Sequence, residues 1–366
     1  MATYKTIKYI VPVEVVEHTD SINALADVDT STATPTEGQT IKWDGTNWVP
    51  GDIEESSSAT QKVIFSFGYR SFGQGGYTNV TNLVSSSGVM ASDTTGVGTA
   101  RSSLAAAGYG GDKAIFGFGF TGSPGRSNIT NLVSNVGVVA TDTTGVGTVR
   151  GSLAAAGYGG DKALFGFGND APASGTGVTN LVSNAGVVSS DVTGVGTGRY
   201  SLAAAGYGGD KAIFGFGYDS NGATNVTNLV SNTGVVASDT TGVGTARYDL
   251  AAAGFGGDKA IFGFGDDNTG NDPISTTNLV SNAGVVASNT TNASGVEART
   301  SLAAAGYGGD KAIFGFGYSA NQYLGYGQQY INYTNLVSNT GVVANINSGI
   351  GTGRSLPAAA GFSTTA

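Results

Sequence analysis

The chain has 366 residues, among them 61 Gly, 7 Pro, a single His and no Cys. Without thiols and with only His18, Cys/His zinc sites, haem ligation, thiolate chemistry and a Ser-His-Asp triad in the main body are excluded. Charged residues make up 12 %, and 17 basic against 26 acidic side chains give a net charge of −9, which opposes binding to a phosphate backbone.

Residues 1–52 read as a separate module. Two lysines precede an apolar stretch, but Pro12, Glu14 and Glu17 interrupt it, so no signal peptide is expected. No segment approaches the ~20 apolar residues that span a bilayer, so membrane insertion is not expected. Between Lys5 and Val16, Ile7, Tyr9, Val11, Val13 and Val15 alternate as in a strand. Further on, Asp44-Gly45 between Trp43 and Trp48 predicts a hairpin that holds both tryptophans of the chain. So small a module buries little surface alone. Trp43, Trp48, Ile7 and Val11 are therefore expected to anchor the chain to a partner or to a second copy of itself. His18 reads as a surface residue, and residues 53–60 as a polar linker.

From residue 61 to the end the sequence repeats itself. Lys-Ala-Ile-Phe-Gly-Phe-Gly begins at Lys113, Lys211, Lys259 and Lys311, with near copies at Lys62 and Lys162. Thr-Asn-Leu-Val-Ser begins at Thr81, Thr130, Thr179, Thr227, Thr277 and Thr334. An arginine closes each unit, at Arg101, Arg150, Arg199, Arg247, Arg299 and Arg354. Each unit predicts four short strands. In the second they are Ser103–Tyr109, Lys113–Phe118, Ile129–Val133 and Val138–Thr141, separated by Gly- and Asn-bearing turns. Four strands repeated six times predict an all-β fold, a six-bladed β-propeller. The first unit lacks the leading Ala-rich strand, and a spare one follows the last unit at residues 355–361. Pairing of that strand with residues 62–67 would close the ring and remove a sheet edge. Gly117 and Gly119 are expected to leave room for rings of the neighbouring sheet.

The run Arg-x-x-Leu-Ala-Ala-Ala, then Gly-Asp-Lys-Ala-Ile-Phe-Gly-Phe-Gly-Tyr, then Thr-Asn-Leu-Val, resembles the kelch repeat. It departs from it in the Phe-Gly-Phe-Gly segment and in lacking the strand-four Trp. Similar kelch-like arrays occur in virion proteins of tailed phages. The string Leu-Ala-Asp-Val-Asp…Pro-Thr-Glu-Gly-Gln-Thr-Ile-Lys-Trp-Asp-Gly-Thr-Asn-Trp-Val-Pro-Gly resembles a module of phage tail-fibre proteins. These resemblances imply a non-enzymatic virion protein, a tail fibre or similar external appendage used in host attachment. They imply virion partners at the N-terminal module, a homo-oligomer such as a trimer, and a host-surface glycan as ligand. A structural head, neck or tail decoration protein without a receptor is the alternative, and a secreted bacterial lectin a third.

Several repeated groups invite a chemical role. The Asp112/Lys113 pair and its equivalents are expected to close tight turns, and the arginines to bond carbonyls of the adjacent loop. Asp93, Asp142, Asp191 and Asp239, replaced by Asn289 and Asn345 in the last two units, are too few for the 6–8 oxygens that Ca²⁺ prefers. Neither a metal nor a cofactor is expected. Related propeller oxidases hold copper with Cys, Tyr and His, and this chain lacks the Cys and the clustered His.

The loop after the second strand varies most, with 12, 10, 10, 9, 11 and 16 residues through the six units. The first and last carry Tyr69, Phe72 and Tyr77, and Tyr318, Tyr323, Tyr326 and Tyr330. Ring closure would set these loops side by side, in a composition suited to adaptable recognition and sugar stacking.

Overall fold

The computed structural model describes residues 39–43, 47–52, 61–70, 76–122, 125–171, 174–269, 273–290, 296–319 and 329–364. The chain divides into two compact units, Met1–Ser58 and Ala59–Ala366, with the division inside the expected linker. In the first, Gln39–Trp43 pairs antiparallel with Trp48–Asp52, and Trp43 lies opposite Trp48. Trp48 is 38 % exposed. Ile7, Val11 and His18 lie outside the described residues.

The second unit is all-β, with no helix among the described residues. Its main elements are three-stranded antiparallel sheets, built on Lys62–Ser66, Lys113–Gly117, Lys162–Gly166, Lys211–Gly215, Lys259–Gly263 and Lys311–Gly315 as middle strands. In one sheet Ala105–Tyr109 pairs with Lys113–Gly117, which pairs in turn with Thr130–Val133. The first hairpin closes through Gly110 (φ 65°) and Gly111 (φ 79°), a left-handed turn that glycine adopts without steric cost. The C-terminal strand Ala358–Phe362 pairs with Lys62–Ser66, so one sheet is built from both ends of the unit. This arrangement of small antiparallel sheets is compatible with a propeller-like fold.

The expected fourth strand does not form as a ladder. Val139 bridges Val133, and Thr143 bridges Thr130, one residue out of step with the first pairing. The extra residue makes a bulge, which breaks the ladder. The Asn131 side chain fills the gap by donating to the Ala140 carbonyl at 3.0 Å and to Asp142 at 2.9 Å.

Sheets stack through apolar clusters, each drawn from two neighbours. Ala105, Ala107, Tyr109, Ile115 and Phe118 of one sheet pack with Leu153, Ala155, Ala163, Phe165 and Val182 of the next. Another cluster joins Tyr307, Ile313 and Phe316 to Val63, Phe65 and Val84. Each fully buried Phe, Leu or Ile contributes roughly 1.5–3 kcal/mol. A Cβ at Gly117 would stand 2.7 Å from Phe165, so this glycine does admit the neighbouring ring. Gly119 does not. A Cβ there would meet Ser102 and Leu104 of its own unit, so it admits the chain entering the Ala-rich strand.

The second Phe of every Phe-Gly-Phe-Gly turns the chain out of the sheet. Phe118 has φ 64°, costly for a side chain with a Cβ, yet its ring is fully buried and lies 5.1 Å from Phe165. Ring burial offsets the backbone cost. The exit this turn creates begins the variable loops.

Candidate functional site

The second residue of each variable loop pairs with the residue just after an arginine. The bridges are Tyr69 to Ser355, Phe120 to Ser102, Asn169 to Gly151, Tyr218 to Tyr200, Asp266 to Tyr248, and Tyr318 to Thr300. Both positions vary between units, while the backbone that presents them repeats.

The aromatics expected from the sequence gather in part. Tyr69 and Tyr77 meet edge to face at 5.3 Å, Tyr69 lies 6.1 Å from Tyr330, and Tyr330 lies 5.9 Å from Tyr318. The first and last loops are therefore adjacent. All four residues are half-buried. Burial pushes the Tyr69 phenol up, and Tyr330 and Tyr77 add to it. Burial and then Tyr330 do the same at Tyr318. The Tyr69 and Tyr318 phenols stay neutral, as stacking and hydrogen-bonding groups. Phe72, Tyr323 and Tyr326 lie outside the described residues.

A second aromatic group was not expected. Tyr218 packs 5.6 Å from Tyr200 and 5.2 Å from Tyr248. The Tyr248 phenol is pushed up to about 12 by burial, then by Asp266 and Asp249. The available signal was Tyr directly after Arg199 and Arg247, where other units carry small or polar residues. In the second unit Arg126 stacks over Phe120 at 5.1 Å and donates to the Asn169 carbonyl at 3.0 Å.

The arginines that close the units are fully buried, so they offer no surface for an anion. Arg101 donates to Asn131 of the next unit at 2.6 Å and to the Thr99 carbonyl at 3.1 Å, and its guanidinium lies 4.3 Å from the Phe67 ring. Its main partner is thus a side chain across the seam, and the carbonyl it reaches belongs to its own segment. Burial pulls the guanidinium pKa down to about 10, against the opposing effect of Asp142.

The repeated aspartates are already occupied. Asp142 accepts from the Thr99 amide at 3.1 Å, from the Thr99 hydroxyl at 2.6 Å and from Asn131 at 2.9 Å. Burial acts to raise its pKa, but these bonds and Arg101 outweigh it, and the carboxyl sits below its ordinary range. Asn289 keeps the same clamp in neutral form, accepting from Thr245 and Asn278. In the last unit the equivalent residue is Ile346 rather than Asn345, because Asn347 bridges Thr334 as Thr143 bridges Thr130. Glu297 stands where the other units have Thr, and it bonds Ser319 instead. This seam lacks the clamp, and Arg299 has no hydrogen-bond partner among the described residues.

Asp112 and Lys113 pair at 2.5 Å beside the Gly-Gly turn, and the four equivalent pairs lie at 2.6–2.9 Å. Each is a turn closure between neighbours, consistent with the structural role expected of it. Among the described residues no three His, Cys, Asp or Glu side chains converge. No protein-family model matches the chain, and comparison with curated proteins finds no relative.

Proposed function

We propose that the protein is a non-enzymatic component of a tailed-phage virion, a tail fibre or similar external appendage, whose repeat unit binds a host-surface glycan. The six sheets, in this reading, form a closed six-bladed, kelch-like propeller. Support for closure comes from the pairing of Ala358–Phe362 with Lys62–Ser66 and from the apolar cluster joining Tyr307 and Phe316 to Phe65. The N-terminal module, with its Trp43–Trp48 hairpin, anchors the chain to other virion proteins and promotes homo-oligomerisation, a trimer by resemblance to fibres.

The observation that carries the binding reading is the meeting of Tyr69, Tyr77, Tyr318 and Tyr330 on the loops that vary most. Partly exposed tyrosines offer an apolar ring with a polar hydroxyl, which suits the faces and rims of sugar rings. Cell-binding by fluorescently labelled protein tests it, beside a Tyr69→Ala/Tyr330→Ala variant. Binding to candidate host cells, lost in the folded variant, is expected. Equal binding by both removes the tyrosines from the site.

A structural decoration role without a receptor has one observation in its favour. Val89, Val138, Val187, Val235, Val285 and Val342 are equivalent and 63–66 % exposed, a repeated apolar set at the strand ends opposite the tyrosine loops. Absence of binding to any host cell by folded protein favours this reading.

A further inference from the structure

Two residues beyond each arginine stand Ser103, Ser152, Ser201, Asp249, Ser301 and Leu356, all with φ between 50° and 56°. Their backbones form a cyclic chain of hydrogen bonds. The amide of Ser152 donates to the carbonyl of Ser103, Ser201 to Ser152, Asp249 to Ser201 and Ser301 to Asp249, each at 2.8 Å. Leu356 then donates to Ser301 at 2.7 Å, and Ser103 to Leu356 at 3.1 Å. The same residues, with the leucines that follow five of them and Pro357, line a cavity of about 70 Å³. Because the ring engages these amides, the cavity has no free array of N–H donors for an anion. It offers side-chain oxygens: four hydroxyls and one carboxylate.

Asp249 breaks the serine pattern. No Lys or Arg forms an ion pair with it among the described residues, and the charge that acts on it, Asp266, has the same sign. The Ser301 hydroxyl lies 3.4 Å from Asp249 Oδ2, and Ser201 also bonds the carboxyl. Burial pushes its pKa up. Asp249 is half-buried at the rim of this cavity, and a carboxylate partly removed from water without a protein cation gains from a cation that enters beside it.

We propose that this cavity binds one monovalent metal cation, of the sodium or potassium class, through the Asp249 carboxylate with the Ser201 and Ser301 hydroxyls beside it. One carboxylate balances one positive charge. The neutral oxygens suit a hard ion, and the volume leaves room for water to complete its shell. Calcium sites use more oxygens and usually several carboxylates, and zinc or copper sites use imidazole or thiolate, which are absent from this lining. The site is independent of host-surface recognition.

Equilibrium dialysis of the full chain against thallium(I), a potassium surrogate, tests the proposal. The wild type is expected to retain thallium that potassium or sodium displaces. Asp249→Ser, which installs the residue found at four of the six ring positions, is expected to retain none. Ser301→Ala is expected to bind about tenfold more weakly. No retention by the wild type, or equal retention by folded Asp249→Ser, overturns the proposal. If Asp249→Ser does not fold, unchanged affinity in Ser301→Ala overturns it. Displacement by calcium at far lower concentration than by potassium overturns the monovalent assignment.

Discussion

Arg101 and Asn131 meet across a seam between two units, where Nη2 of the arginine donates to Oδ1 of the asparagine at 2.6 Å and neither residue is exposed. Arg150 with Asn180, Arg199 with Asn228, and Arg354 with Asn82 repeat the contact. A buried guanidinium is costly unless its donors are used, so the asparagine matters as much as the arginine. Asn131→Ala should cost about 3 kcal/mol, because it strands a buried charge. Arg101→Met should cost less, since it removes that charge and keeps an apolar stem against Phe67. Urea unfolding of both variants checks the order, and a larger loss in Arg101→Met would contradict it.

The seam around Arg299 lacks the Thr–Asp clamp, with Glu297 and Ile346 in the two positions. Installing the pair, as Glu297→Thr with Ile346→Asp, supplies the acceptor geometry that Asp142 has toward Thr99 and Asn131. The double variant should gain about 1 kcal/mol. The denaturation midpoint reports it, and an unchanged or lower midpoint would show that this seam is held in another way.

Gly117 and Gly111 separate two reasons for glycine. A Cβ at Gly117 would press on Phe165 at 2.7 Å, whereas at Gly111 nothing lies within 4 Å and only φ +79° disfavours a side chain. Gly117→Ala should cost about 1–3 kcal/mol by overpacking. Gly111→Ala should cost about 1 kcal/mol, from backbone strain alone. Adding Phe165→Leu should recover part of the first loss and none of the second, as read by double-mutant unfolding.

Acid should weaken the fold through Asp93, Asp142, Asp191 and Asp239. Burial acts to raise these carboxyls, but hydrogen bonds and the nearby arginines leave them below their ordinary value of 3.8. The folded state therefore holds their protons less tightly than the unfolded chain. Their stabilisation is complete above that value and is lost as pH falls through the folded pKa. Asp249, raised by burial, has the opposite sign: its contribution is present below 3.8 and is lost as pH rises through its folded value. Unfolding free energy measured from about pH 5 down to about pH 3 should fall, and should fall less steeply in Asp142→Asn. That variant keeps the clamp in the neutral form seen at Asn289. Identical slopes would remove Asp142 from the effect.

Several features were legible because they are local and repeated. Gly110-Gly111 marks a turn, Thr130–Val133 a strand, and the spare Ala-rich strand has its partner at Lys62–Ser66. The missing fourth strand was not legible, because a one-residue offset between Val139 and Thr143 leaves the apolar pattern intact while breaking the ladder. The same offset hid Ile346 behind Asn345. Tyr69 with Tyr330 was within reach once the two ends were paired, but Tyr218 with Tyr200 and Tyr248 required knowing that the residue after each arginine faces the next loop.

Period, the first three strands of each unit and turn chemistry were thus determined by the sequence alone, since each depends on residues within a few positions of one another. The partners of Arg101, the burden placed on Gly119 and the single carboxylate among the ring serines were decided only by tertiary structure. Those contacts join residues well separated along the chain, within one unit or across the seam between two. Their distances depend on how neighbouring sheets stack, and no local pattern in the sequence encodes that.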